Sequence, residues 1–159
     1  YPAETIEEAR HSQVAISTDV TFGWEMRTWA RMMETVSSPA YLYFFSRVPP
    51  AADADQYGAY HTAEIPYVFD NFGVSTSPHA NRDYDDIDRE LSNTLASYWV
   101  NFAATGNPNG AGLPEWPVFD RDADEALEIA DTIQVRSGVR KDRLDFLDQY
   151  YAAMREETN

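Results

Sequence analysis

The chain has 159 residues, with 12 lysines and arginines against 27 aspartates and glutamates, and a formal charge of −15. A surface this acidic repels phosphate backbones and anionic membranes, which argues against nucleic-acid binding. With no cysteine, disulfides, a thiolate nucleophile and a cysteine zinc site are excluded, and the redox compartment stays undetermined.

The composition, 43% hydrophobic and 14% aromatic, suits one folded domain spanning residues 1–159 with a sizeable core. No apolar run approaches the roughly 18 residues of a membrane span, and no signal peptide is visible. The first residue is Tyr1, not Met, so a processed product or a piece of something longer is expected.

Residues 1–18 are polar and show no clear period. From Asp19 to Val36, Phe22, Met26, Trp29, Ala30 and Met33 recur at helical spacing, predicting a helix with a core-facing stripe and Asp19 as its N-cap. Ser37-Ser38-Pro39 breaks it. AYLYFFSR, 40–47, is short, continuous and aromatic, and reads as a buried strand that wants strand neighbours on both sides. A Pro- and Asp-rich loop, 48–60, leads to His61, and 63–69 predicts a short helix with Pro66 in its first turn. After a polar stretch, 71–82, a long helix is expected from near Asp83 to about Ala104. Leu91, Leu95, Tyr98, Trp99 and Phe102 form its apolar face, and Asp83, Asp85, Asp86 and Asp88 lie in its first turns, favourably for the dipole. TGNPNGAGLPEWP, 105–117, ends it. ALEIADTIQV, 126–135, reads as an edge strand or short hairpin, and 140–155 as a helix carrying Leu144, Leu147, Tyr151 and Met154 on one face. The order is α/β, with a few strands flanked by helices and too few of them for a comfortable sheet.

His61, in GAYHTAEIPYVFD, is the leading candidate for chemistry. A loop histidine after a strand is a layout that presents a general base, since imidazole side chains exchange protons near neutrality, but a lone loop histidine is more often structural or solvated, and the spacing alone does not decide between them. A nucleophile elbow, G-x-S-x-G, is missing. GVSTS at 73–77 lacks the second glycine and a preceding strand. Asp19 is the best placed internal carboxylate for a triad, though the cap explains it better. Asp120, Asp122 and Asp124 have the spacing of a calcium loop, but Glu125 stands where the glycine belongs and Asp131 where a bidentate glutamate belongs, so a solvated turn is expected. His11 and His79 have no ligand partner at helical spacing, and no metal or other cofactor is expected.

Several segments together resemble type B carboxylesterases, the cholinesterase-like branch of the α/β-hydrolases. GAYHTAEIPYVFD resembles the segment around their catalytic histidine. SYWVNFAATGNPN (97–109) and LPEWPVFD (113–120) resemble the helix end, turn and Trp-Pro segment that follow, while STDVTFGWEMRTWA and AYLYFFSR resemble the preceding helix and core strand. The order agrees from about residue 12 to 150. The absence of cysteine is similar to bacterial rather than animal members. The resemblance implies a C-terminal portion of an α/β-hydrolase with an incomplete sheet. It implies that His61 is the triad base, Glu64 a supporting group and Asp19 a structural aspartate. The family's serine, triad acid and oxyanion loop fall before the matched segments.

The reaction so implied is hydrolysis of a small-molecule ester through an acyl-enzyme. Tyr57, Tyr60, Phe69 and Phe72 are expected to shape its pocket. The alternatives are a non-catalytic cholinesterase-like binding module and an autonomous acidic domain. The isolated chain is expected to be inactive and prone to self-association through surfaces that the upstream part of the same enzyme would cover. Substrate identity and compartment are left open.

Overall fold

The computed structural model describes residues 1–52, 54–73 and 82–157. The described residues form two compact units, one within 1–42, 118–125 and 137–157, the other within 43–52, 54–73, 82–117 and 126–136. The stretch 74–81, which holds most of GVSTS and His79, lies outside the described residues.

In the first unit the polar N-terminus is helical after all. Helix α1 (Ile6–Thr18) opens on a capping box in which Thr5 and Glu8 satisfy each other's backbone N–H groups. It continues through a π-helical turn, Asp19–Gly23, into α2 (Trp24–Met33). Asp19 is therefore no N-cap. It sits inside the continuous helix with helical φ and ψ, fully buried, where Tyr1 donates to it at 2.8 Å and Arg140 and Arg143 pair with it. A buried carboxylate needs such partners, and a wide turn gives it room to reach them. Gly23 closes that turn where a Cβ would stand 3.2 Å from Leu144.

Of the expected stripe only Ala30 is buried. Phe22, Met26 and Trp29 are exposed, Trp29 to 62%, while Arg27 and Ala30 are buried. The reason is the charge pattern of α6 (Lys141–Glu157). Arg27 bridges Asp124 and Asp145 at 2.9 and 2.8 Å, Arg31 reaches Asp148 at 2.7 Å, and the Trp24 indole donates to Asp148 at 2.7 Å while lying 4.3 Å from the Tyr151 ring. Leu144 and Leu147 are buried as expected, but Met154 is exposed.

In the second unit the aromatic run supplies β1 (Tyr43–Phe45), shorter than 40–47 and half-buried. It pairs in parallel with β2 (Glu125–Ile129), Tyr43 opposite Leu127 and Phe45 opposite Ile129. The 126–135 segment is a hairpin, and its first strand is the middle one of the three: the order is β1, β2, β3 (Ile133–Ser137). That explains why Ala126, Leu127 and Ile129 are buried. Short helices α3 (Ala54–Tyr57) and α4 (Ile65–Val68) precede α5 (Asp86–Thr105), which starts three residues later than expected. Asp85 is its N-cap and Asp88 completes a capping box. Leu91, Leu95 and Tyr98 are buried, whereas Phe102 is half exposed. Tyr43, Tyr98, Trp99 and Trp116 pack together with ring centroids 5.2–5.9 Å apart, edge-on except for the tilted Trp99–Trp116 pair. Asn109 holds the backbone of Trp116 on both sides.

Candidate active site

His61 opens a turn, 61–64, that runs directly into α4, and it is exposed. The chain reaches it from α3 through Gly58, whose φ of 57° suits a residue without Cβ. Thr62, the next residue, holds φ 78°, a conformation that costs a β-branched side chain about 1–3 kcal/mol. Such a backbone persists only when its surroundings fix it, and here they do. Ala63 N donates to Tyr60 O at 3.0 Å, Ile65 N to Thr62 O at 3.2 Å, and Tyr67 N to Glu64 O at 3.0 Å. These bonds join residues 60–68 into one piece.

That piece is attached to the frame at three points. Glu64 accepts a hydrogen bond from the Tyr43 hydroxyl on β1; burial, then the Glu64 charge and this bond, push the Tyr43 hydroxyl up to about 12. Tyr67, fully buried, donates to Asp88 Oδ1 at 2.7 Å. Ser92 on α5 donates to the Tyr67 carbonyl at 2.8 Å. Burial first, then the bond to Asp88, drives the Tyr67 pKa far upward, so its hydroxyl stays protonated.

Asp88 is a junction. Its carboxylate takes Arg47 Nε at 2.7 Å and the Asp85 backbone N–H at 2.8 Å besides Tyr67. The Arg47 guanidinium, at the end of the aromatic segment, also binds Asp131 at 2.7 Å and Asp85 at 3.0 Å. The bond from Arg47 to Asp88 is the largest cause holding the guanidinium charged. Asp85 lies below its ordinary value, first through the Asp88 backbone N–H and then through Arg47. In the sequence Asp85 and Asp88 read only as a helix start, and no local motif singles out Arg47 or Tyr67. The usable signal was an arginine closing an aromatic strand, since a buried guanidinium requires carboxylates.

Of the four residues expected around a pocket, three make aromatic or cation contacts and one is largely exposed. Phe72 packs on Tyr67 and Tyr84, at 5.2 and 4.2 Å. Tyr57 and Tyr60 flank the Arg82 guanidinium at 5.9 and 5.5 Å, and Phe69 is largely exposed. At the acidic turn, Asp120 accepts the backbone N–H groups of Asp122 and Ala123 while Asp124 pairs with Arg27. These are turn and ion-pair roles. Among the described residues no group of three or more His, Asp or Glu side chains is arranged to hold a metal, and no helix is long and apolar enough to cross a membrane.

The profile of the Carboxylesterase family matches residues 2–147. The chain belongs to this family. Carboxylesterase 4A of Bos taurus is 31% identical over 133 residues, covering 82% of this chain and 23% of the relative. A medium-chain fatty acyl-CoA hydrolase precursor of Anas platyrhynchos is 30% identical over 147 residues, covering 91% and 25%. Among solved structures, carboxylesterase EST55 of Geobacillus stearothermophilus superimposes with a TM-score of 0.69 at 25% identity, covering 89% of this chain and 29% of that one. The fold is that of an esterase α/β-hydrolase, seen here as a partial three-stranded sheet with helices. The carboxylesterase chain spans about a quarter of the length of the curated relatives it matches.

Proposed function

We propose that this chain contributes the general base of a serine carboxylesterase, and that the base is His61. The observation that carries the reading is an exposed histidine on a turn whose Glu64 side chain meets Tyr43 of a sheet strand and whose following helix is bonded at the Tyr67 carbonyl by Ser92 of a long helix, within a carboxylesterase chain. In the proposed reaction a serine from another part of the enzyme attacks the ester carbonyl while His61 takes its proton. His61 then gives that proton to the departing alkoxide, takes one from water as the water attacks the acyl-enzyme, and returns it to the serine. Backbone amides outside this chain hold the oxyanion. Glu64 supports the base by tying its turn to Tyr43.

The test is p-nitrophenyl butyrate hydrolysis by the longest natural form of the protein, with and without His61→Ala. We expect kcat to fall on the order of 10⁴-fold or more, and the 159 residues alone to match buffer, because a base without a nucleophile performs no acyl transfer. Equal activity of His61→Ala and wild type would remove His61 from the reaction.

A further inference from the structure

Tyr67 invites the question of why a fully buried position carries a hydroxyl at all. Its ring already packs edge-on against Phe45, Phe72 and Tyr84, with centroids 5.1–5.9 Å apart, so phenylalanine would fill the same space. Burying a hydroxyl brings no gain in transfer energy and demands a partner. The partner is the more demanding group, a carboxylate with no solvent exposure. Asp88 in turn needs the buried Arg47, whose other two contacts are Asp85 and Asp131. Buried ion pairs are poor sources of stability compared with apolar packing, and their best-attested use is to fix one arrangement among several.

What this network fixes is the piece that bears His61. We propose that Tyr67 is a positioning residue for His61: through Asp88 it locks residues 60–68 against α5 and so sets where the imidazole stands. The backbone bonds from Ala63 to Tyr60 and from Ile65 to Thr62 make the connection short and stiff. The positive φ of Thr62 makes the anchor necessary, because the turn relaxes unless both of its ends are held. The Ser92 bond to the Tyr67 carbonyl fixes the other side of the same residue. Tyr67 touches no reacting atom and acts only through the turn. The catalytic meaning of this placement rests on the reading of His61 as the base, but the placement itself does not.

Two readouts separate those claims. In the 159-residue chain, the ring resonances of His61 and hydrogen exchange of amides 61–65 are compared between wild type and Tyr67→Phe, with His61→Gln used for assignment. The expected result is a displaced and broadened His61 signal and exchange at 61–65 faster by about tenfold, with the His11 signal unmoved. Ser92→Ala, which removes the other bond to the same residue, is read identically. An unchanged His61 signature in either folded variant overturns the proposal, whatever the esterase assays give. In the longest natural form, Tyr67→Phe is expected to lower kcat about ten- to hundredfold with KM unchanged, the signature of a misplaced base. A Tyr67→Phe effect confined to KM also overturns it. If His61→Ala leaves activity intact while the His61 signature still depends on Tyr67, the catalytic reading fails and the positioning stands.

Discussion

Each of the two units is organised around a buried arginine, and the two arginines have different company. Arg47 is 6% exposed and reaches a carboxylate with no exposure at all, Asp88. Arg27 is 3% exposed, and its partners are Asp124, 11% exposed, and Asp145 and Asp148, 36% and 35% exposed. The Arg27 cluster joins one helix to another and meets water at its edge. The Arg47 cluster gathers the end of a strand segment, a helix N-terminus and the segment carrying His61, and Asp88 has no water to fall back on. Similar ion-pair chemistry thus serves adhesion in one place and placement in the other.

The sharpest way to break this comparison is to delete each cation. Arg47→Met should cost about 3–5 kcal/mol because it strands a carboxylate with no exposure, whereas Arg27→Met should cost less, about 1–2 kcal/mol, because two of its three partners, Asp145 and Asp148, can hydrate and only Asp124 is nearly buried. Chemical denaturation of both variants measures the difference, and equal losses would show that partner exposure does not decide it. The clusters should also separate in hydrogen exchange. Arg47→Met should speed the amides at 61–68 more than those of α2, and the opposite order would contradict a placement role.

The two regions are unequally legible in the sequence. The His61 loop, Asp85 at the helix start, the hairpin at 126–135 and the family were all legible, because turn chemistry, capping and local motifs are short-range signals. The inward face of α2 was not. Its apolar residues follow helical spacing, but which stripe faces inward is set by α6, more than a hundred residues away, whose Asp145 and Asp148 select Arg27 and Arg31. Asp19 failed for the same reason, since its partners Arg140 and Arg143 are equally remote. Residues 1–18 have too weak an apolar period to announce a helix, yet Thr5 and Glu8 form the box that starts one. At the site, Tyr67 and Arg47 were hidden because their roles depend on Asp88, a residue that local reading had already explained as part of a cap.

A smaller effect tests the third attachment of the His61 turn. Tyr43→Phe removes the bond to Glu64 and should cost about 1 kcal/mol near neutral pH. It should also change the alkaline limb. The Tyr43 hydroxyl is raised from 10.0 to about 12 in the fold, chiefly by burial and then by Glu64. A raised value means that its stabilising contribution is complete below pH 10.0 and is lost as pH rises from 10.0 through about 12. Tyr43→Phe should therefore lose less stability over that window than wild type, as thermal melts at stepped pH would record. A wild-type-like alkaline loss would mean that Tyr43 is not among the groups responsible.

The last contrast concerns apolar surface. In the second unit, Tyr43, Tyr98, Trp99 and Trp116 cover one another, whereas the π-helical turn and α2 leave Phe22, Met26 and Trp29 exposed at helical spacing. We propose that the isolated chain self-associates through these side chains, opposed by its charge of −15. The two terms respond oppositely to salt, since screening weakens repulsion and leaves apolar contact intact. Association should therefore strengthen toward about 1 M salt, where the Debye length is about 3 Å. Trp29→Glu should weaken it about tenfold, equivalent to roughly 1.4 kcal/mol, with little change in stability because the side chain is already 62% exposed. Sedimentation equilibrium decides the matter. A chain that stays monomeric at high salt, or a Trp29→Glu variant that associates as wild type does, would place the interaction elsewhere and leave these exposed side chains without this consequence.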